Sequence, residues 1–177
     1  MVNHCSGMRR ANRRNGHVYA VSAVPLGKGI GMEIKMYRTL PEEAMAIRKT
    51  VFVEEQGFHD EFDEVDISAN HLVLFDGDRP VATCRFFKNE GTNDYTIGRI
   101  AVLGPYRGQS NGAKLLREVE RIVKQRKGDA IRLHAQVRAK GFYEKQGYRP
   151  YGEIELEEGC PHIWMHKTIG GTASLAE

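Results

Sequence analysis

The sequence of 177 residues contains only three cysteines and no long apolar run. Cys5, Cys84 and Cys160 are scattered, which argues against a disulfide framework or a zinc site and fits a reducing cytosol. No segment approaches the roughly 20 apolar residues that a membrane helix needs. We therefore predict a cytoplasmic protein that has no membrane segment and binds no metal.

Carboxylates are missing from residues 1–32, although this segment carries the five basic side chains Arg9, Arg10, Arg13, Arg14 and Lys28. The formal charge of +3 for the whole chain therefore misleads, because the remaining residues hold 21 basic and 23 acidic side chains. A protein that binds nucleic acid needs a basic face on its folded part. The sequence predicts no such face, and we expect no nucleic-acid partner.

The basic head at residues 1–31 has three interpretations. It could be a targeting segment, because it is rich in Arg and lacks acidic residues. It could be a disordered tail. It could also result from a start codon assigned too early, with Met32 as the true first residue, since Met32 opens the first clear strand. We predict one domain over residues 32–170 and a flexible tail over residues 171–177.

The domain begins with a strand and a helix. Residues 32–38 alternate apolar and charged side chains, as a half-buried strand does. Pro41 then begins a helix that ends before Gly57. Glu42 and Glu43 lie in its first turn, where the helix dipole favours carboxylates.

Three further strands are joined by short turns and are predicted at residues 71–75, 81–87 and 95–102. The turn at Asp76–Asp78 carries a hairpin signal, and the turn at Asn89–Asn93 is equally short. Antiparallel neighbours can be joined in this way, whereas parallel strands need a long crossover. The pattern therefore predicts an antiparallel meander.

The segment from Tyr95 to Ala113 joins the last strand of this meander to a long amphipathic helix at residues 110–127. Its loop contains Arg107, Gly108 and Gly112. Free backbone N–H groups and the partial positive charge at a helix N-terminus bind anions. We therefore predict a site for a phosphate-bearing cofactor in this loop. A strand, a short helix and two strands follow at residues 131–135, 138–146, 148–156 and 162–167.

An acidic loop holds seven carboxylates and no Lys or Arg within 13 residues: Glu54, Glu55, Asp60, Glu61, Asp63, Glu64 and Asp66. One interpretation is an ordinary solvated loop. The other is a negative rim that attracts a cationic substrate.

The motifs of the second half resemble those of the GNAT acetyltransferases. The loop Arg107-Gly108-Gln109-Ser110-Asn111-Gly112-Ala113 is similar to the family's pyrophosphate loop, and Ala139 with residues 142–148 is similar to its Phe-Tyr-Glu-Lys motif. Residues 51–57, 63–66, 134–136 and 160–165 are similar to its ElaA/YjcF-like branch. The resemblance covers residues 33–167. It implies an α+β fold, with a mixed central sheet of six to seven strands, an antiparallel N-terminal meander and about four flanking helices.

The resemblance implies an N-acetyltransferase that moves an acetyl group from acetyl-CoA to a primary amine, of a small molecule or a peptide, by direct attack. Tyr143 is the implied general acid, which protonates the departing thiolate. The implied cofactor contacts fall on Ile100, Ala101, Val102, Arg107, Gly108, Gln109, Ser110, Asn111, Gly112, Ala113, Gln136, Ala139, Phe142 and Tyr143.

Two of these positions depart from the family pattern. Ser110 stands at a glycine position, and we expect the loop to keep its cofactor provided that Ser110 does not need a positive φ. Its hydroxyl could also cap the helix. Gln136 stands where many relatives have Asn, but it matches the ElaA-like pattern.

The proton acceptor for the amine is not identified by the sequence. Many relatives carry a carboxylate on the strand that corresponds to residues 95–102, and this chain has none there. The candidates are Glu54, Glu55, His71 and His134, or a chain of water molecules. Candidate contacts to the acceptor are Glu64, Asp66, His71 and His162.

The missing carboxylate keeps a second hypothesis open, which is a non-catalytic acyl-CoA-binding or sensing protein of the same fold. Members of this fold are commonly monomers or homodimers. The sequence identifies neither the acceptor amine nor the oligomeric state.

Overall fold

The structure is a computed structural model that describes residues 31–170. Except for Gly31, the predicted head and tail lie outside the described residues. The strands are β1 (Met32–Tyr37), β2 (Asn70–Asp76), β3 (Arg79–Lys88), β4 (Tyr95–Val102), β5 (Ala130–Gln136), β6 (Arg149–Glu157) and β7 (Cys160–Thr168). The helices are α1 (Glu42–Arg48), α2 (Val65–Ser68), α3 (Asn111–Gln125) and α4 (Lys140–Lys145).

These elements form one mixed sheet with the strand order β1-β2-β3-β4-β5-β7-β6. Strands β1 to β4 are consecutive antiparallel neighbours, which confirms the predicted meander. The seven strands and four α-helices confirm the predicted α+β class. No helix among the described residues is long and apolar enough to cross a membrane.

The sheet buries apolar side chains on both faces. The larger core packs the apolar stripe of α3, which includes Leu115, Leu116 and Val119, against β2 to β5 and β7. The smaller core packs Ala44 and Ile47 of α1 against the other face. Both helices show apolar residues at helical spacing in the sequence, which is why each presents one face to the sheet.

Strands β4 and β5 are paired in parallel over Tyr95–Ile97 and Ile131–Leu133 and separate beyond those residues. A bulge in β4 follows at once, since Arg85 of β3 pairs with Gly98 and Thr83 pairs with Ala101. Arg99, in the bulge, takes a φ of 53°, which is rare for a side chain other than glycine. The sheet therefore opens at its centre, and the second half of β4 has a free edge.

The first helix changes its winding part-way along. After Arg48 it continues as a π-helical turn over Lys49–Glu54, which the sequence pattern did not predict. Such turns are rare and often lie at functional sites. The short helix α2, inside the acidic loop, was also not predicted.

Candidate active site

A cavity of about 1000 Å³ lies where β4 and β5 separate. One end is formed by the end of β4, the start of α3 and the Phe142–Tyr143 segment of α4. The other end is formed by residues 60–63 of the acidic loop, the part of β5 beyond its pairing with β4, and the tip of the β6–β7 hairpin. The cavity can therefore hold a long ligand at one end and a second molecule at the other.

The loop before α3 presents free hydrogen-bond donors to this cavity. The backbone N–H groups of residues 108–113 find no acceptor among the described residues. The expectation that the loop keeps its cofactor required that Ser110 should not need a positive φ, but Ser110 has a φ of 60°. Its hydroxyl also does not cap α3. Gly112 lies close to Phe142, since a Cβ there would be 3.2 Å from Cζ of that ring, which is a tight contact. Unpaired backbone N–H groups at the start of a 15-residue helix can donate hydrogen bonds to a pyrophosphate.

Most of the predicted cofactor residues line the cavity: Ile100, Val102, Arg107, Gly108, Ser110, Asn111, Gly112, Ala113, Gln136, Ala139, Phe142 and Tyr143. Ala101 does not line it, because its side chain is buried in the smaller core. Gln109 does not line it either, and its side-chain amide donates to the carbonyl oxygen of Pro105.

The guanidinium of Arg107 binds two groups, the backbone of Val102 and the side chain of Glu55. Its Nε donates to the carbonyl oxygen of Val102 at 2.8 Å, and its Nη2 donates to Oε2 of Glu55. Both side chains of the ion pair are partly exposed. Glu55, a candidate base, is thus paired at the anion-binding end of the cavity.

Tyr143 lines the cavity beside Phe142, whose ring centroid lies 5.0 Å from its own. Burial, and to a smaller extent the nearby Cys84, raises the pKa of Tyr143 above its ordinary value of 10. Tyr143 is therefore protonated at neutral pH, as a proton donor must be. Burial also raises the pKa of the Cys84 thiol, which disfavours the thiolate that a nucleophilic cysteine needs.

The other predicted acceptor-side residues are scattered. His134 and His162 line the cavity. Glu54 and Glu64 are exposed and do not line it. His71 is buried away from the cavity, where its Nε2 lies 3.1 Å from the carbonyl oxygen of Asp66, and burial lowers its pKa.

The acidic loop is neutralised by arginines from other elements. Arg48 of α1 binds Glu61 through Nε at 2.6 Å and Asp66 through Nη1 at 2.7 Å, and all three residues are buried. Burial alone would raise the pKa of Asp66, but hydrogen bonds from Arg48 and Arg85 outweigh it and hold this pKa well below its ordinary value. Asp66 is therefore a buried anion that fastens the loop.

The same network continues into the sheet. Arg85 of β3 binds both oxygens of Asp63 at 2.5 and 2.7 Å, and its hydrogen bonds lower the pKa of Asp63. Arg99 of the β4 bulge lies 3.0 Å from Oε2 of Glu61. Three carboxylates thus meet three guanidinium groups. The negative rim, which was one of the two interpretations of the loop, is largely compensated at Glu61, Asp63 and Asp66, and these ion pairs hold the loop as one wall of the cavity.

Glu157 is a cavity residue that the sequence prediction missed, because the predicted β6 strand ended at residue 156. Glu157 is the last residue of β6 and lines the cavity. Its Oε2 lies 3.3 Å from Nδ1 of His134 and 3.9 Å from Nε2 of His162. The alternation of Glu153, Glu155 and Glu157 along the strand was the available signal. The acceptor end of the cavity therefore contains a carboxylate beside two imidazoles.

Gln136 joins the two sides of the opening. Its Nε2 donates to Oε1 of Gln56 at 2.9 Å, and Arg138 donates to the same oxygen at 2.8 Å. Among the described residues, no group of three or more His, Cys, Asp or Glu side chains is placed to hold a metal ion.

Comparison with known proteins identifies the family. The model of the acetyltransferase (GNAT) domain matches residues 38–169. A Bacillus subtilis (strain 168) protein named as an acetyltransferase is 41% identical over 129 residues, which are 70% of this chain and 86% of that protein. The uncharacterized N-acetyltransferase YjcF of the same organism is 33% identical over 129 residues, which are 71% of this chain and 91% of YjcF.

A solved structure agrees with these relatives. The crystal structure of Escherichia coli ElaA matches with a TM-score of 0.70 and 26% identity, and covers 77% of this chain and 99% of ElaA. The chain belongs to the GNAT acetyltransferase family, in its ElaA/YjcF-like branch, and is an N-acetyltransferase. The predicted family is thereby confirmed.

Proposed function

We propose that this enzyme transfers an acetyl group from acetyl-CoA to a primary amine by direct attack, with both substrates bound together. The observation that carries the proposal is the separation of β4 from β5 beyond Ile97 and Leu133. It leaves the backbone of Ile100–Val102 at the same end of the cavity as the free N–H groups of residues 108–113.

In this proposal, acetyl-CoA supplies a thioester carbonyl carbon that an amine can attack. The N–H groups of residues 108–113 and the guanidinium of Arg107 hold its pyrophosphate. The free edge of Ile100 and Val102 pairs with the pantetheine arm, much as a neighbouring strand would. A backbone N–H there can donate to the oxyanion that forms during attack.

Tyr143 donates the proton that the departing thiolate takes up. A phenol that is protonated at neutral pH is in the correct state for this role, and its place in the cavity wall puts it beside the site. A covalent route through Cys84 is disfavoured, because that thiol is buried and its pKa is raised.

A panel of small and peptide amines, with release of free CoA as the signal, tests the proposed reaction. Intersecting initial-rate lines support a ternary complex, whereas parallel lines support a covalent intermediate. If no amine stimulates CoA release while acetyl-CoA still binds, the non-catalytic acyl-CoA sensor replaces the proposal.

Tyr143→Phe tests the acid. We expect unchanged acetyl-CoA binding by calorimetry and a fall in kcat of roughly 10²–10⁴-fold. Tyr151→Phe is the matched control, since Tyr151 is exposed on β6 and does not line the cavity. Unchanged turnover in Tyr143→Phe removes the acid role.

A further inference from the structure

We propose that Glu157 takes the proton of the attacking amine and passes it through His134 to Glu155 at the protein surface. This inference rests on the proposed function, because it assigns the proton acceptor that the reaction requires. An alkylammonium has an ordinary pKa of about 10.4 and is not nucleophilic at neutral pH. The strand β4, where relatives carry a carboxylate, offers none.

Glu155 and Glu157 lie on the same face of β6, two residues apart, but they meet different surroundings. Glu157 lines the cavity and has a side chain that is 47% exposed, while Glu155 does not line it and has a side chain that is 61% exposed. The two carboxylates are therefore the inner and outer ends of one short path.

His134 lies between them and touches both. Its Nδ1 is 3.3 Å from Oε2 of Glu157, and its Nε2 is 3.6 Å from Oε2 of Glu155. A neutral imidazole carries one N–H and one lone pair, so it can accept a proton at one nitrogen while it donates from the other. The ring of His134 is stacked on Trp164, with centroids 4.7 Å apart and planes 15° apart, which fixes its orientation.

Neither contact of His134 is a hydrogen bond as it stands, but the outer one can readily become one. Nε2 of His134 is buried and has no hydrogen-bond partner among the described residues. A buried polar nitrogen without a partner is costly, and the carboxylate of Glu155 is the acceptor that faces it. Because Glu155 is exposed, its side chain can move the short distance to a hydrogen bond of about 3.0 Å.

His162 cannot serve as the alternative path while it is neutral. Its Nδ1 lies 2.9 Å from the carbonyl oxygen of Cys160, which can only accept, so Nδ1 carries the proton. The Nε2 that faces Glu157 at 3.9 Å then holds a lone pair and has no proton to relay. The path from Glu157 therefore runs through His134.

Other charged groups line the same cavity, and two of them, Glu158 and Arg99, are already engaged. Glu158 accepts the backbone N–H groups of His59 and Asp60 at 2.9 and 3.2 Å. Arg99 is paired with Glu61 and Asp63. Asp60 lines the cavity and adds negative charge that favours a cationic amine.

The step balances in protons. The bound ammonium loses one proton to the carboxylate of Glu157 and becomes the nucleophile. That proton moves to Nδ1 of His134 as the proton on Nε2 moves to Glu155, which releases it to water. One proton has then passed from the substrate to the solvent, and His134 carries its proton on Nδ1. After the product leaves, Nδ1 releases that proton through Glu157 to the water that refills the cavity while Nε2 takes one from the solvent, which restores the starting tautomer.

The kinetic test compares Glu157→Gln, His134→Gln and Glu155→Gln with the control Glu153→Gln, an exposed β6 residue that does not line the cavity. We expect Glu157→Gln to lower kcat at pH 7 by roughly 10²–10³-fold with unchanged acetyl-CoA affinity. Its rate should then rise about tenfold per pH unit until the amine itself deprotonates. We expect a smaller loss in Glu155→Gln, and added imidazole buffer should restore activity in both His134→Gln and Glu155→Gln. A wild-type rate and pH profile in Glu157→Gln overturns the proposal.

A second measurement needs no acceptor. The ¹⁵N resonances of the His134 ring report which nitrogen carries the proton. We expect them to shift in Glu157→Gln and in Glu155→Gln but not in Glu153→Gln. Ring resonances that are unchanged in both variants overturn the relay. If the wild-type enzyme acetylates no amine, the proposed function fails instead, and the resonances still decide whether the three side chains share a proton.

Discussion

Arg107, on the β4 side of the opening between β4 and β5, donates a hydrogen bond to Glu55. The next residue, Gln56, accepts hydrogen bonds from Gln136 and Arg138 on the opposite side. Glu55 and Gln56, which follow the π-helical turn, therefore form hydrogen bonds to opposite walls of the cavity. In the proposed reaction Arg107 binds the pyrophosphate, so Glu55 competes with acetyl-CoA for this guanidinium.

Glu55→Gln should bind acetyl-CoA more tightly than the wild-type protein, because it removes this competitor. An exposed ion pair contributes at most about 1 kcal/mol, so we expect a gain of no more than about fivefold. Calorimetric titration measures it, and the gain should shrink at high salt. Glu54→Gln is the matched control, since the neighbouring Glu54 is exposed and does not line the cavity. Equal affinities of wild type and Glu55→Gln would show that Glu55 does not compete.

Arg48→Met should strongly destabilise the fold. The substitution leaves the buried carboxylates of Glu61 and Asp66 without their central cation. Removal of one partner of a buried ion pair costs about 3–5 kcal/mol. Urea unfolding measures the loss, with Lys49→Met as control, because Lys49 is the next residue and is exposed. A loss below about 1 kcal/mol would mean that the loop is held by other contacts.

The Arg48 network explains why the acidic loop could not be interpreted from its own composition. The loop contains no basic residue, and its partners are Arg48 on α1, Arg85 on β3 and Arg99 in the β4 bulge. These arginines reach the loop only after the chain has folded. Counting charges along the sequence finds the carboxylates, but it cannot reveal the ion pairs with distant arginines that neutralise them.

The stability that Asp66 contributes should depend on pH. Its pKa in the folded state lies below the ordinary value of 3.8, since hydrogen bonds from Arg48 and Arg85 outweigh the effect of burial. The contribution is therefore complete above about pH 4–5 and is lost as the pH falls through the folded-state pKa. We expect the difference in free energy of unfolding between wild type and Asp66→Asn to be constant near neutral pH and to shrink below pH ~4. A difference that stays constant down to pH ~2 would contradict this assignment.

The meander, the long helix α3 and the anion-binding loop could be predicted because their signals are local. Short turns such as Asp76–Asp78 require antiparallel neighbours, and the apolar spacing in residues 110–127 requires a helix. The π-helical turn at Lys49–Glu54 could not be predicted, since its residues continue an ordinary helical pattern.

The acceptor end of the cavity was harder to predict than the loop. Its three walls come from the acidic loop, β5 and the β6–β7 hairpin, which are distant in the sequence. His134 was a candidate from its motif. Glu157 could not be assigned to the site from the sequence, because it reaches the cavity only through the pairing of β6 with β7. The strand order β5-β7-β6 places these residues together, and no local pattern encodes that order.

Ser110→Gly should stabilise the protein. Ser110 holds a left-handed φ of 60° at the start of α3, and its side chain makes no cap hydrogen bond. The left-handed conformation costs a residue other than glycine roughly 1 kcal/mol, part of which the greater freedom of glycine in the unfolded chain offsets. Urea unfolding should therefore show a gain of up to about 1 kcal/mol, while acetyl-CoA affinity stays unchanged because the backbone donor is retained.

Lys127→Gly is the matched control for that substitution. Lys127 has a φ of 57°, is exposed and follows the other end of α3, far along the chain from the loop. The same relief of backbone strain predicts a gain of similar size there. If Lys127→Gly stabilises the protein and Ser110→Gly does not, the side chain of Ser110 must itself stabilise the loop and offset the backbone strain.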